Sequence, residues 1–347
     1  MKIEIHLLQN FAPSCLNRDD TNTPKECDFG GVRRARISSQ SFKRAIRQHF
    51  KATNAIPTGD RTKELSRILA ERVPGATLET IREVLAGLAK MDSKKPEYTS
   101  VLIFAGPGEI EALAQCVEGG VTDAKKVQAA VLAARTSPDI ALFGRMLAEA
   151  PDNNIDAACQ VAHALSTHAA ALEMDFFTAV DDLNTRDDVG AGMLGYTGFQ
   201  SACFYRYALI DVEQLKRNLG GDAETTKTAV AALLWAFCDA EPSARQNSMP
   251  AHNRPSLGLL VARGKGVPTS LANAFSRPVS VKSGNPDLVG ASVDALDDYF
   301  KKLDTVYEAF HATTQAVFSD GSGVLKNLAA FDKGSQRNAI EAILETL

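Results

Sequence analysis

Apolar and polar positions alternate over residues 2–9, with Ile3, Ile5 and Leu7 on one side, which predicts a strand. Residues 10–31, rich in Asn, Asp, Thr and Pro, read as a long polar loop, a kind that usually carries function or moves. A short strand is expected over Val32–Ile37, then a helix capped by Ser38 or Ser39 and running to about Phe50. Phe42, Ile46 and Phe50 recur every four residues and mark its buried face, with Lys43, Arg44 and Arg47 on the flanks. Four helical periodicities follow, over 61–73, 78–90, 109–117 and 123–134, punctuated by Pro74-Gly75, Pro107-Gly108 and Gly119-Gly120. The pattern breaks at 137–146, which reads as a turn into a strand, and 156–166 fits helix or strand equally. Residues 173–183 and 199–210 are two extended pieces around a Gly- and Asp-rich loop, the pattern of a protruding hairpin. The remainder reads as helices over 211–219, 222–240, 293–310 and 338–347 and a strand over 256–263. A helical block is thus inserted into an α+β body.

The longest wholly apolar run, 229–238, has ten residues, half of the roughly 20 that a membrane span needs. The acid and histidine of Glu4 and His6 fall where a signal peptide is apolar, so a cytoplasmic location is expected. Six dispersed cysteines with no C-x-x-C pair fit reduced thiols rather than a disulfide framework. No phosphate-binding loop, nucleophile elbow or H-E-x-x-H pattern is present.

Charge changes this picture. The chain carries a net −4, yet residues 30–59 contain no acid and hold Arg33, Arg34, Arg36, Lys43, Arg44, Arg47 and Lys51. Taking this +7 from the total leaves −11 elsewhere. An acidic body with one basic strip repels polyanions generally and grips them in one place; the plainer reading is a solvated helix face. The N-terminus of the 38–50 helix offers N–H groups beside Ser38, Ser39 and Gln40, a seat suited to phosphate.

Two stretches form a signature, Ser14-Cys-Leu-Asn-Arg-Asp-Asp20 and Phe29-Gly-Gly-Val-Arg-Arg-Ala-Arg-Ile-Ser-Ser-Gln-Ser-Phe-Lys-Arg-Ala45. With Asp139-Ile-Ala-Leu-Phe-Gly-Arg-Met146, Ala162-His-Ala-Leu-Ser-Thr-His168, Asp175-Phe-Phe-Thr-Ala-Val-Asp-Asp-Leu183 and Phe204-Tyr-Arg-Tyr-Ala208, they resemble the CasC family, the repeated backbone subunit of the type I-E CRISPR effector Cascade. The likeness holds from Ile3 to about Asn218 and loosens beyond, where Leu271-Ala-Asn-Ala-Phe275 is its best remnant.

The resemblance implies an α+β fold: an RRM-like (ferredoxin-like) palm over 1–59, 137–169 and 202–347, inserted helical fingers over 60–136 and a β-hairpin thumb over 170–201. It implies a non-catalytic subunit without cofactor or metal. Its partners would be CRISPR RNA, other copies of itself, other Cascade subunits and, through the guide, target DNA, with no membrane. Ser38, Gln40 and Lys43 match RNA-contacting positions of the family, and Met146 and Thr178 match others. Arg44 and Arg47 suit phosphates, and Arg18 and Lys25 extend the track; such contacts hold a backbone without reading sequence. Phe176 and Phe177 stand where many members have Trp-Phe and would wedge against bases, although as isolated aromatics they read as core.

The runner-up is a metal-dependent RNA endonuclease, since backbone subunits of the distantly related type III effectors cleave RNA with an aspartate in a palm loop; Asp19 and Asp20 lie in a comparable loop. Asp175 with Asp181, Asp182, Asp187 and Asp188 is a weaker metal candidate than a set of turn-capping acids. His163 and His168 are expected on opposite sides of a strand. Tyr205 and Tyr207 are expected to be jointly buried or jointly exposed.

Overall fold

The computed structural model describes residues 1–179, 193–281, 287–311 and 313–347. In chain order the elements are β1 (Lys2–Ser14), β2 (Glu26–Phe29), β3 (Val32–Ile37), α1 (Ser39–Thr53), β4 (Asp60–Thr62), α2 (Leu65–Arg72), α3 (Leu78–Ala86), β5 (Ile103–Ala105), α4 (Pro107–Glu118), α5 (Ala124–Ala133) and α6 (Pro138–Phe143). They continue with β6 (Cys159–Val161), β7 (Ala164–Ser166), β8 (Glu173–Ala179), β9 (Met193–Asp211), α7 (Val212–Asn218), α8 (Ala223–Asp239), β10 (Leu257–Arg263), α9 (Leu288–Tyr307), β11 (Thr313–Ser319) and α10 (Gln336–Leu344). The fold is mixed α+β. The large sheet runs β11-β10-β1-β9-β7-β3-β2, with β6 and β8 also paired to β9. The pairs β10–β11, β7–β9, β3–β7, β2–β3 and β8–β9 are antiparallel. Among the described residues no helix is long and apolar enough to cross a membrane.

The chain divides into two compact units. One comprises residues 1–2, 47–160 and 210–236. Its core gathers Leu65, Leu69, Ile81, Val84, Leu113, Val127 and Val131 from α2 to α5 with Ile103 of β5. These are the apolar positions that the helical spacing predicts. The 137–146 stretch, expected to turn into a strand, instead holds the helix α6 over 138–143. Proline at the first helical position pre-sets the backbone, and Gly144, at φ +78°, closes the helix in the left-handed region.

The other unit comprises 3–46, 161–209 and 237–347. One cluster sets Leu259, Val261, Phe275, Val293, Leu296 and Phe300 against Leu8 and Tyr205; a second joins Phe11, Leu16, Ile37, Phe42, Ala202 and Phe204. Strand β9 therefore buries both faces. Phe204 and Tyr205 are both buried and Tyr207 is partly so, which corrects the expectation of a simple in–out alternation. Polar side chains on the buried strands take specific hydrogen bonds within the fold, although His6 Nε2, Arg206 Nε and Arg263 Nη2 are left without a partner among the described residues. Arg263 Nε donates to Glu4 Oε1 at 2.7 Å, Thr269 N to Glu4 Oε2 at 2.7 Å, and His6 Nδ1 lies 2.8 Å from Tyr205 Oη. Burial, aided by Arg263, pulls the His6 pKa down to about 3. Arg206 sits between the Phe42 and Phe237 rings, 4.0 and 4.6 Å from their centroids. It donates to Phe237 O at 2.6 Å and to Gln9 Oε1, and burial lowers its pKa to about 10.

The 10–31 loop is shorter than expected: β1 continues to Ser14, and β2 takes residues 26–29. The ambiguous 156–166 stretch contains the short strands β6 and β7, and β11 had no expectation attached to it.

Candidate nucleic-acid interface

The hairpin β2–β3 closes on Gly30 and Gly31, both at positive φ (63° and 79°), as a two-residue turn between paired Phe29 and Val32 requires. A Cβ on Gly30 would lie 1.7 Å from Ser276 O, so the position excludes every side chain. Before this hairpin, residues 17–25 form a tight turn organised by Asp19. Its carboxylate accepts from Thr23 N (3.0 Å), Thr23 Oγ1 (3.0 Å) and Thr21 Oγ1 (2.8 Å). These bonds, the Thr23 amide foremost, hold its pKa below the ordinary carboxylate range. Arg18 is exposed and donates to Asn22 Oδ1 at 2.6 Å. The turn borders a cleft of about 460 Å³ lined by Asp19, Asp20, Lys25, Arg33, Arg36 and Leu172 among others.

Helix α1 begins beside this turn. Ser38 N donates to Asn17 Oδ1 (2.8 Å), Ser39 N to His163 Nδ1 (3.0 Å), and Ser41 N to Ser38 Oγ (3.3 Å). The expectation of open amides is thus corrected at Ser38 and Ser39, whose N–H groups the protein itself accepts. What remains at the helix start is positive charge. The His163 pKa is depressed, first by desolvation and then by Arg36 and Lys25, so this ring sits neutral among cations. Gln40 and Arg44 are exposed, Lys25, Arg36 and Lys43 are partly buried, and Ser38 is buried at 7%.

The basic strip separates into two sets. Arg33 pairs with Glu26 (2.9 Å) and Asp28 (3.5 Å). Arg34, fully buried, donates to Ser166 O (3.1 Å) and Phe275 O (2.8 Å). Lys51 pairs with Asp60 at 2.5 Å. Arg47 pairs with fully buried Asp139 at 2.9 Å, donates to Gly59 O at 2.8 Å and stacks over Phe104 at 4.1 Å. These four stabilise the fold. Arg36, Lys43 and Arg44, on the strand and helix beside Ser38 and Gln40, form the second set, with side chains at least partly open to solvent.

Strands β8 and β9 form a two-stranded ribbon pairing Glu173 with Phe199 through Ala179 with Met193. Every residue of β8 is exposed. Phe176 is 52% exposed and lies 5.2 Å, ring to ring, from its partner Tyr196, itself 70% exposed. Phe177, on the opposite face and 37% exposed, spreads its ring over Gly195, where a Cβ would meet it at 2.5 Å. Thr178 sits opposite Leu194. The core reading of these aromatics is overturned, and Met146 is also exposed, at 82%. The ribbon's root meets the 17–25 turn, since Pro24 Cδ comes within 3.2 Å of a Cβ built on Gly198. Met146 belongs to the other compact unit.

Asp181, Asp182, Asp187 and Asp188 lie outside the described residues. Among the described residues no three metal-ligating side chains cluster, and His163 Nδ1 is used on the Ser39 amide. The two histidines flank β7 rather than share it.

A family model for CT1975-like proteins, Cas_CT1975, matches residues 3–346. The chain belongs to this family. The CT1975-like chain is also similar over 100% of its length to 100% of a chain of the "CRISPR RNA-guided surveillance complex, pre-nicking", with 30% identity and a TM-score of 0.88. A chain of a "CRISPR RNA-guided surveillance complex" matches over 100% of this chain and 99% of that one, at 27% identity and a TM-score of 0.67. No curated protein sequence matched. Two residues of this CT1975-like chain join the face without having been singled out from sequence. Arg36 is separable from Arg33 and Arg34 only once their partners are known. Tyr196 was readable in principle, as the aromatic of a strand opposite Phe176.

Proposed function

We propose that this protein is a non-catalytic, CRISPR RNA-binding backbone subunit of a type I-E Cascade-like surveillance complex, working in the cytoplasm. The observation that carries the reading is the joint presence of full-length likeness to surveillance-complex chains and one continuous surface. On that surface the cations of the 17–25 turn and the α1 start adjoin an exposed aromatic ribbon. In this reading the large sheet serves as an RRM-like palm, residues 60–136 as fingers and residues 170–201 as a thumb. Copies align along one guide RNA and, with other Cascade subunits, present it to target DNA. Arg18, Lys25, Arg36, Lys43 and Arg44 hold phosphates, Ser38 and Gln40 add neutral hydrogen bonds, and Phe176, Phe177 and Thr178 meet the bases, with Met146 contributing from its own unit. Arg47 supports the fold instead. The occupation of the Asp19 carboxylate by its own turn favours scaffold over nuclease.

The test is binding of labelled single-stranded RNAs of unrelated sequence to the full chain across a salt series. Five phosphate contacts give a slope of log affinity on log salt of about −3.5, at about −0.7 per contact. Sequence-independent binding with that slope, flattened in Lys25→Glu/Arg44→Glu, is expected. Equal binding by wild type and variant, or none by either at low salt, would sink the reading.

A further inference from the structure

The loop between α8 and β10 carries a side chain that the RNA-binding reading has not used. Arg245 has left-handed backbone, φ +54°, a conformation that a long side chain adopts only when its surroundings impose it. Here a tight turn imposes it: Met249 N and Ser248 N both donate to Arg245 O, at 2.8 and 3.1 Å. Ala251, two residues past Met249, packs into the cluster of Phe11, Leu16 and Phe42 and anchors the loop. The guanidinium is directed at the root of the ribbon, where Nη1 donates to Thr197 Oγ1 at 3.3 Å. Its Nε is buried and has no acceptor. Among the described residues no carboxylate pairs with it within 4 Å. The acids nearest by topology are Asp175, opposite Thr197 in the ribbon, and Asp19, whose oxygens are held by Thr21 and Thr23.

A second guanidinium reaches the same spot. Burial raises the pKa of the fully buried Cys15 thiol, Arg245 and Arg18 lower it, Asp19 raises it, and Arg245 also hydrogen-bonds the sulfur. Among the described residues Arg18 also has no carboxylate within ion-pair distance, and it donates to the neutral Asn22. Arg18 pairs through its backbone with Pro24, which borders Gly198 beside Thr197, so the two arginines meet at the junction of the 17–25 turn, the ribbon root and the 241–251 loop, where the acid at hand, Asp19, has its carboxylate held by Thr21 and Thr23. Buried or crowded guanidiniums are ordinarily paired, and the missing partner has the chemistry of a phosphodiester, an anion matching the guanidinium fork.

We propose that Arg245 and Arg18 form one phosphate seat at the ribbon root, extending the cationic track of the 17–25 turn and the α1 start around the base of the ribbon. The seat rests on the RNA-binding reading above and adds Arg245 to it. Its position explains why the residue sits on a strained, tightly hydrogen-bonded turn rather than on a flexible one. The turn fixes the guanidinium before the ligand arrives, so little ordering remains at binding.

The experiment compares wild type, Arg245→Gln, Arg245→Lys and Thr197→Val for binding to a labelled mixed-sequence single-stranded RNA across a salt series, with thermal unfolding as a check on folding. Arg245→Gln is expected to weaken binding several-fold at low salt and to make the slope shallower by about 0.7, one phosphate contact. Arg245→Lys keeps the slope. Thr197→Val, which removes the hydrogen bond but not the charge, leaves both affinity and slope near wild type. An unchanged slope in Arg245→Gln overturns the seat, and so does an equal change in Thr197→Val, which would make the residue a brace for the ribbon. Absence of RNA binding by the wild type is a different failure, that of the RNA reading itself.

Discussion

Arg44 and Arg47 lie three residues apart on α1 and look alike in sequence, yet their surroundings assign them opposite work. Arg47→Ala deletes the partner of Asp139, whose carboxylate is fully buried. Two donors stay with that carboxylate, Gly59 N at 2.9 Å and Ser137 Oγ at 2.7 Å. Removing one member of a buried pair costs about 3–5 kcal/mol; the remaining donors place this case near the lower figure, about 3 kcal/mol. The lost stacking on Phe104 and the orphaned Gly59 carbonyl act in the same direction. At about 2–4 °C per kcal/mol for a unit of this size, the melting midpoint should fall by roughly 6–12 °C. Arg44 is exposed, and Arg44→Ala should leave the midpoint within about 2 °C, the ±0.5 kcal/mol scatter of surface substitutions. RNA titrations should reverse the order: the salt slope stays near wild type in Arg47→Ala below its melting range and becomes shallower by about 0.7 in Arg44→Ala. Thermal unfolding and a salt series on the same preparations decide it. A stable Arg47→Ala protein with a shallower slope would refute the division of the strip into fold-supporting and ligand-facing cations.

Two further outcomes follow from the ribbon and the buried histidine. Phe176→Ala and Tyr196→Ala should each weaken RNA binding, by about 1–3 kcal/mol if one base stacks on the pair, with unfolding unchanged because both rings are exposed; wild-type affinity in both would remove the ribbon from the binding face. His6 is held neutral, with its pKa near 3 against an unfolded value of 6.5. The unfolded chain therefore binds the extra proton, and His6's contribution is full above about pH 6.5 and is lost as pH falls toward 3, by at most about 1.4 kcal/mol per pH unit. Urea unfolding at pH 7 and pH 5 should show a loss in wild type that is smaller in His6→Asn; equal losses would contradict it.

Much of the architecture was legible because local spacing decides it. The Phe42, Ile46, Phe50 stripe and the helices α2 to α5 bury the positions their period selects. The strands were harder. Glu4, His6 and Arg206 look like outward-facing residues in a two-residue alternation, but the sheet is covered on both sides, so their partners lie 199 and 197 positions away for His6 and Arg206. The same distance problem hid the sorting of the basic strip: the acid that engages Arg47 is 92 residues further along. Segment α6 was legible in principle, for the proline at its first position and the glycine after it are helix punctuation. Arg245 left no local trace, since its significance depends on Cys15, Arg18 and Thr197 meeting around it.

Strand β9 has 19 residues, about 60 Å of extended chain at roughly 3.3 Å each, and its two ends live in different surroundings. Residues 200–210 are mostly locked among core side chains, whereas 193–196 pair with β8 and are largely exposed. Mechanically this is a cantilever: a beam clamped along most of its length with a short free end. Bending and twisting at the tip are then resisted by the clamp and not by the ribbon's own two strands, which alone are too few for rigidity. Amide protection should accordingly climb along one continuous strand, from near nothing at Met193 to the level of global unfolding by Cys203. Displacement at the tip is delivered as torque to Thr197, the residue on which Arg245 rests.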